Sequence, residues 1–304
     1  MTTLTPEQRP FEYDSSSCWQ YEIRQKNLQQ DLDEAGLTQE QVEAFRVSDF
    51  VFAGFTKESD TYEVEFPKVR AFIERHEWLG KMSLYPTHFF TAYYKDSLAG
   101  VVVMDMPNSY SNLLGKNTRK IERLISRGAC ISWSPKNLAS SLIMFAINYM
   151  VKNTRYRLFT AYSDPEAMEL GTIYQACNFY YLGQHYGAKT KYRLPGSDKW
   201  VSDRSFRSRS AYKRYARELK IDWKDDWSRG SVILWDNIPE DVEIKLRARS
   251  KEQYKIAEVR EIPLKHKYAY VKGANKKETK TLRKKFLKLN KKQPLPYPKT
   301  RGAA

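Results

Sequence analysis

IERLISRGACISWSPKNLASSLIMFAINYMVKNTRYRLFTAY, residues 121–162, decides the fold. Its opening, IERLISRGACISW, reads as a strand with a bend near Gly128. SPKNLASSLIMFAINYMVKN (134–153) then carries apolar residues at 138, 142, 143, 145, 146, 149 and 150. That spacing predicts a buried helix, with Ser134 as its cap and Pro135 in its first turn. RYRLFTAY (155–162) returns to strand composition. A helix joining two strands in this way favours parallel pairing.

Outward from this unit the pattern continues. THFFTAYYKDSLAGVVVMDMP (87–107) reads as two strands around the polar turn Lys95-Asp96-Ser97. AYSDPEAMELGTIYQACNFYYLG (161–183) leaves its strand through a Ser-Asp-Pro corner, passes through a short helix and returns to strand-like aromatics. TYEVEFPKVRAFIERHEWLG (61–80) reads as a short strand and then a helix begun by Pro67. Residues 20–50 read as helical, with Thr38 three residues before Gln41 in a capping-box pattern. SVILWDNIPEDVEIKLR (231–247) resembles strand material, and KGANKKETKTLRKKFLKLNKKQPLPYPK (272–299) reads as a lysine-rich helix with a proline-rich end. The expected class is α/β, a mixed central sheet flanked by helices on both faces.

Composition narrows the function. An apolar fraction of 41% over 304 residues supplies a sizeable core and excludes a disordered chain. No run of apolar residues is long enough to span a membrane, and the N-terminus has no secretory pattern, so the expectation is a soluble cytoplasmic protein. Cys18, Cys130 and Cys177 are odd in number and widely spaced, which argues against a disulfide framework and a cysteine zinc site. Residues 1–200 balance 23 Lys+Arg against 23 Asp+Glu, while residues 201–304 hold 29 against 13. The whole charge of +16 therefore lies in the last third, as expected of a core tethered to a polyanion binder. Arg207, Arg209, Lys213, Arg214, Lys284, Lys285 and Lys288 are the candidate nucleic-acid contacts. Interleaved aromatics such as Phe206, Tyr212 and Tyr215 could stack on an exposed base, and a solvated charged face is the alternative.

Metal, nucleophile and Walker motifs are missing, and the four histidines, 76, 88, 185 and 266, are scattered. Two places can carry chemistry. Asn137, Ser140 and Ser141, at the start of the buried helix, offer backbone N–H groups and hydroxyls to an anion, or are plain caps. Asp164 before Pro165 has the grammar of a helix cap, yet it also follows a strand in a parallel unit, where ligands bind. An acid there can orient or deprotonate an amine, and Tyr174 can donate a proton.

IERLISRGACISWSPKNLASSL, FTAYSDP, GTIYQACNFYYLG, KHKYAYV and LPYPK together resemble the Mom-type DNA-modification proteins of bacteriophages. The similarity covers roughly residues 80–194 and returns at 265–271 and 294–299. It implies an N-acetyltransferase (GNAT)-like fold and a transferase acting on the N6 amino group of adenine in DNA, by methylcarbamoylation or a related acyl-type modification that protects DNA from restriction. Matched residue by residue, it implies catalytic roles for Arg123, Asp164 and Tyr174, a place for His88 beside Phe89 where the family has His-Tyr, and cofactor contacts at Asn137 and Ser141. Double-stranded DNA is the implied partner and an infected bacterial cell the implied setting. Fold analogy adds acyl-CoA (acetyl-CoA), although the usual Arg/Gln-x-x-Gly-x-Gly/Ala loop is replaced by Asn137-Leu138-Ala139-Ser140-Ser141. The family also raises iron, for which His88 and Asp164 are the one ligand pair. Met168-Glu169 stands where members often carry Gly-His.

The expected organisation is an N-terminal helical extension over 1–60, a catalytic core over 61–196 and a basic nucleic-acid-binding region over 197–304. Two other readings stay open: an N-acyltransferase for protein or RNA amines, and a non-catalytic DNA-binding phage protein. Oligomeric state is left undetermined.

Overall fold

The computed structural model describes residues 18–83, 86–107, 111–116, 118–187, 190–291 and 294–299. Its described part divides into two compact units, one formed by Gly187–Pro263 and the other by the chain before Gly187 and after Pro263. The larger unit contains α1 (Trp19–Ala35), α2 (Gln39–Glu43), β1 (Val51–Thr56), α3 (Tyr62–His76), β2 (Pro86–Tyr94), β3 (Ser97–Asp105), β4 (Glu122–Cys130), α4 (Leu138–Asn153), β5 (Leu158–Ser163), α5 (Thr172–Ala176) and β6 (Tyr180–Tyr186). The smaller unit holds β7 (Thr190–Arg193), α6 (Arg209–Glu218), β8 (Ser228–Arg229), β9 (Val232–Ile233), α7 (Glu240–Ile256) and β10 (Glu258–Glu261). The chain then returns to the larger unit as β11 (Lys265–Val271) and α8 (Lys276–Leu289).

Among the described residues the larger unit builds a seven-stranded sheet in the order β1-β2-β3-β4-β5-β11-β6. Neighbours are antiparallel except β4 and β5, which the α4 crossover makes parallel. The expected mixed sheet with helices on both faces is what the chain forms. Helices on both sides explain why β2 and β3 read as continuous apolar runs: Phe89 and Phe90 are both fully buried, as are Val101, Val103 and Met104. Phe90 meets Phe145 and Tyr149 of α4, while Phe89 meets Tyr62 and Phe66 of α3.

Several local expectations change. TYEVEF is not a strand; α3 starts at Tyr62 and runs through Pro67. Tyr62, Phe66, Val69 and Ile73 form one apolar stripe across the proline, and the Tyr62 and Phe66 rings stack at 5.4 Å. The strand before it is VFAGFT, which pairs with β2 at the sheet edge, so residues before 61 contribute to the sheet as well as to helices. α4 begins at Leu138 behind Asn137, whose φ of 69° is left-handed, and the Ser134 hydroxyl instead accepts Arg24 Nη2 at 3.0 Å. The irregularity in β4 falls at Ser126, between Ile125 and Arg127, rather than at Gly128. Of SVILWDNIPEDVEIKLR only Val232–Ile233 is strand, and from Glu240 it is helix. The Thr38–Gln41 capping box forms in both directions, at 3.3 and 2.8 Å.

The first helix is fastened to the loop between β4 and α4. Asp31, 1% exposed, accepts Arg75 Nη2 at 2.5 Å and the Ser132 hydroxyl at 2.5 Å, and its carbonyl accepts Trp133 Nε1 at 3.2 Å. Arg24 adds donations to the carbonyls of Ser132 and Ser134 at 2.9 and 3.2 Å. The basic last third also divides. Residues 201–263 carry 15 Lys+Arg against 12 Asp+Glu, while residues 264–304 carry 14 against the single acid Glu278.

Candidate active site

β4 and β5 pair only from Glu122–Leu158 to Ile125–Ala161, although β4 continues to Cys130 and β5 to Ser163. Past that point the strands separate, and the start of α4 faces the same end. No side chain caps this helix, no acid lies in its first turn, and Asn137 holds its left-handed turn. The Ser140 hydroxyl donates to the Asn137 carbonyl at 3.0 Å, and the Ser141 N–H donates to the same carbonyl at 2.9 Å. Cys177, just past α5, closes on the Ser140 carbonyl, Sγ to O 3.6 Å. A helix start without a side-chain cap, beside an opened parallel pair, offers its backbone N–H groups to an anion. The Ser140 hydroxyl, turned into its own helix, is less available than the sequence suggests.

At the end of β5 four acidic and basic side chains converge. Asp164 caps a short turn, its Oδ1 accepting the Glu166 N–H at 3.1 Å. Its Oδ2 is 2.7 Å from Lys265 Nζ, supplied by β11. The Asp164 N–H donates to Glu169 Oε2 at 3.3 Å. Burial raises the Glu169 carboxyl to about 8, with the Asp164 and Glu77 charges pushing the same way and Lys265 opposing. Glu77, which ends α3, is raised to about 7 by burial, against Arg127 and Lys265. Tyr174 keeps its proton, because burial and then the Glu169 and Glu77 charges raise its hydroxyl above the usual phenol range. Its ring lies 5.4 Å from Tyr268, whose hydroxyl donates to the Leu170 carbonyl. Gly171 makes this packing possible: its φ is +68°, and a Cβ there would stand 2.5 Å from Tyr268 Cε2.

The structure therefore hydrogen-bonds Asp164 to Glu169, whose charge also acts on Tyr174, and sets Asn137, Ser140 and Ser141 at the same end of the sheet. Arg123 and His88 lie elsewhere. Arg123 pairs with Phe159, five residues before Asp164, or about 16 Å along the strand. It stacks on Tyr156 at 3.7 Å and donates to that hydroxyl and to the Glu122 carbonyl. His88 faces the same tyrosine at 6.2 Å, and burial, aided by the Arg123 charge, lowers its ring to about 4. Through Met104, Ile125 and Ala161, three strand spacings of about 4.8 Å plus three residues separate His88 from Asp164. They cannot share an iron, and among the described residues no group of three His, Cys, Asp or Glu is placed to hold a metal.

Glu77 and Lys265 belong to this corner but carry no local signal. Glu77 only follows a helix, and Lys265 opens KHKYAYV, whose place beside β5 is a tertiary fact. Of the candidate nucleic-acid contacts, Lys284, Lys285 and Lys288 are exposed on α8. In the smaller unit Arg207 pairs with Asp203, Arg209 Nη1 donates to the Gly230 carbonyl at 3.2 Å, and Arg214 lies 3.6 Å from Glu218. Lys213 on α6 is half-buried. The aromatics between them cannot stack on a base: Phe206, Tyr212 and Tyr215 form that unit's core, at most 4% exposed.

No described helix is long and apolar enough to cross a membrane. Comparison with curated protein sequences returned no match. Among solved structures, similarity is found to a Bacillus subtilis acetyltransferase in complex with CoA, at 11% identity over 73% of this chain and 99% of that one, TM-score 0.31. A second is an N-acetyltransferase from Staphylococcus aureus Mu50, at 13% identity over 47% of this chain and 88% of that one, TM-score 0.31. At those scores neither bears on the reaction. The sequence from 61 to 299, which holds every residue of the carboxylate corner, matches the model of the Mom protein family, and the chain belongs to that family.

Proposed function

We propose that the protein is a DNA-modifying transferase that places an acyl-type group, methylcarbamoyl or a relative, on the N6 amine of adenine. The observation that carries the reading is the convergence of Glu77, Asp164, Glu169 and Tyr174 at the mouth between β4 and β5, inside the family match. Acyl-CoA, when bound, supplies an activated carbonyl and a thiolate leaving group. Its phosphates would lie at the backbone of Leu138–Ser141. Glu169 and Glu77 titrate near neutrality, so either carboxylate can take the proton that the amine loses as its new C–N bond forms. Tyr174, which keeps its proton, would donate a hydrogen bond to the donor's leaving group, which departs as the thiolate. Asp164 has both oxygens engaged, by Lys265 and the Glu166 N–H, and its part is to hold the corner's geometry and orient the amine. The target base leaves the duplex stack to reach this site.

The test is co-expression with a plasmid, digestion of the plasmid to nucleosides and mass analysis. A mass-shifted deoxyadenosine that disappears in Glu169→Gln supports the proposal. Unmodified DNA accompanied by an acyl mark on RNA or protein overturns it in favour of another amine substrate, and no mark anywhere overturns the enzymatic reading.

A further inference from the structure

The end of the sheet opposite the carboxylates carries a groove of about 630 Å³. One wall is the loop from Lys272 to Asn275, and the other is a single stripe of α8 formed by Lys276, Lys280, Arg283 and Lys284. No acid lines it. Glu278, the only acid of α8, has both oxygens engaged, by Arg157, Nε to Oε1 3.0 Å, and by the Ala274 N–H, which donates to Oε2 at 2.6 Å. The loop is pressed beneath the helix start, since a Cβ on Gly273 would stand 2.6 Å from the Thr279 nitrogen. Five cations thus face one concavity, strung along two turns rather than gathered at a point. That arrangement suits a run of phosphates more than a single one.

We infer that this groove grips the phosphodiester backbone of duplex DNA at a distance from the base being modified. The inference rests on the DNA reading above and adds where the duplex is held. β11 measures the offset: Lys265 touches Asp164 at one end, and Lys272 opens the groove just past the other. Seven residues of strand span about 23 Å, and at about 3.4 Å per base pair the gripped phosphates lie roughly seven base pairs from the target.

Two measurements test this without any donor. Lys276→Cys, at the groove, and Glu166→Cys, beside Asp164, are each made in the full chain and labelled with an iron chelate that cleaves nearby DNA. On one duplex the two cleavage centres fall roughly seven base pairs apart; coincident centres, or no cleavage from position 276, overturn the offset. In parallel, Lys280→Ala with Lys284→Ala weakens duplex binding about tenfold and lowers the salt dependence by about two ion equivalents, with the thermal melt unchanged. An unchanged slope removes the groove from DNA binding. Neither readout needs the adenine chemistry, so a failed nucleoside analysis and a failed offset are separable results.

Discussion

The Asp164 N–H donates to the Glu169 carboxylate at 3.3 Å, while the Asp164 carboxylate is held by Lys265 at 2.7 Å. Two acids at one corner thus stand in different environments, one ion-paired and one pushed toward its neutral form by burial. One carboxylate fixed by an ion pair and a second able to take a proton divide positioning from proton transfer. Activity should rise with pH through about 7 to 8, as Glu77 and Glu169 lose their protons. Glu169→Gln should reduce kcat by about 10²–10⁴-fold and remove the upper part of that rise, measured as modified deoxyadenosine per unit time.

The same carboxyl predicts a stability profile. A group at about 8 when folded and near 4.5 when unfolded keeps its proton better in the native state. Its contribution is complete below about 4.5 and is lost as pH rises through 8, on the order of a few kcal/mol. Chemical denaturation from pH 5 to 9 should show wild type weakening with pH and Glu169→Gln weakening less. Parallel slopes would mean that the corner is solvated.

Lys265→Met separates charge from structure. Its side chain is 42% exposed, so the pair with Asp164 contributes little to stability, about 1 kcal/mol or less. Yet its charge holds down both Glu77 and Glu169. Removing it should move the rising limb of the pH–activity profile to higher pH with the melt nearly unchanged. A profile that stays in place would exclude those carboxyls as the titrating groups.

Gly171→Ala should lose both fold stability and activity. The residue sits at φ +68°, and the new methyl would meet the Tyr268 ring at 2.5 Å. Left-handed strain and overpacking each cost about 1–3 kcal/mol. Thermal melting checks the loss, and a compensating Tyr268→Phe should not restore it, since the clash is with the ring rather than the hydroxyl.

What was legible in the sequence follows from period and punctuation. The α4 crossover, the β2–β3 hairpin and the Thr38 cap were readable because each depends on residues close in the chain. That Asp164 and Tyr174 lie on one short excursion was readable for the same reason. Lys265 and Glu77 were not, because only the insertion of β11 beside β5 and the packing of α3 deliver them. Arg123 and His88 look like site residues by resemblance, but register sets Arg123 beside Phe159, five residues before Asp164, and His88 three strands across from β5. The aromatics of RSFRSRSAYKRYARELK misled in another way: helical spacing that suggests an exposed stacking face also describes a small core, and burial of Tyr212 and Tyr215 shows which applies.

Asp31 supplies the last prediction, because it ties helix α1 to the loop that leads into α4. Its carboxylate is almost fully buried and is satisfied by Arg75 and Ser132, with the His76 ring 3.6 Å away. Asp31→Ala removes the acceptor of the buried Ser132 hydroxyl, while Arg75, 31% exposed, keeps Glu34 at 2.6 Å, so the cost is about 1–3 kcal/mol. Arg75→Ala should cost more, about 3–5 kcal/mol, because it leaves the Asp31 carboxylate, 1% exposed, buried without its cation. Because Ser132 and Ser134 lie just before α4, loosening this joint should also raise KM for the donor before it affects kcat. Melting of the two variants fixes the order of stability, and donor KM in Asp31→Asn, which keeps the volume, reports on the loop. A donor KM equal to wild type in Asp31→Asn, alongside a lowered melt, would confine α1 to a structural role.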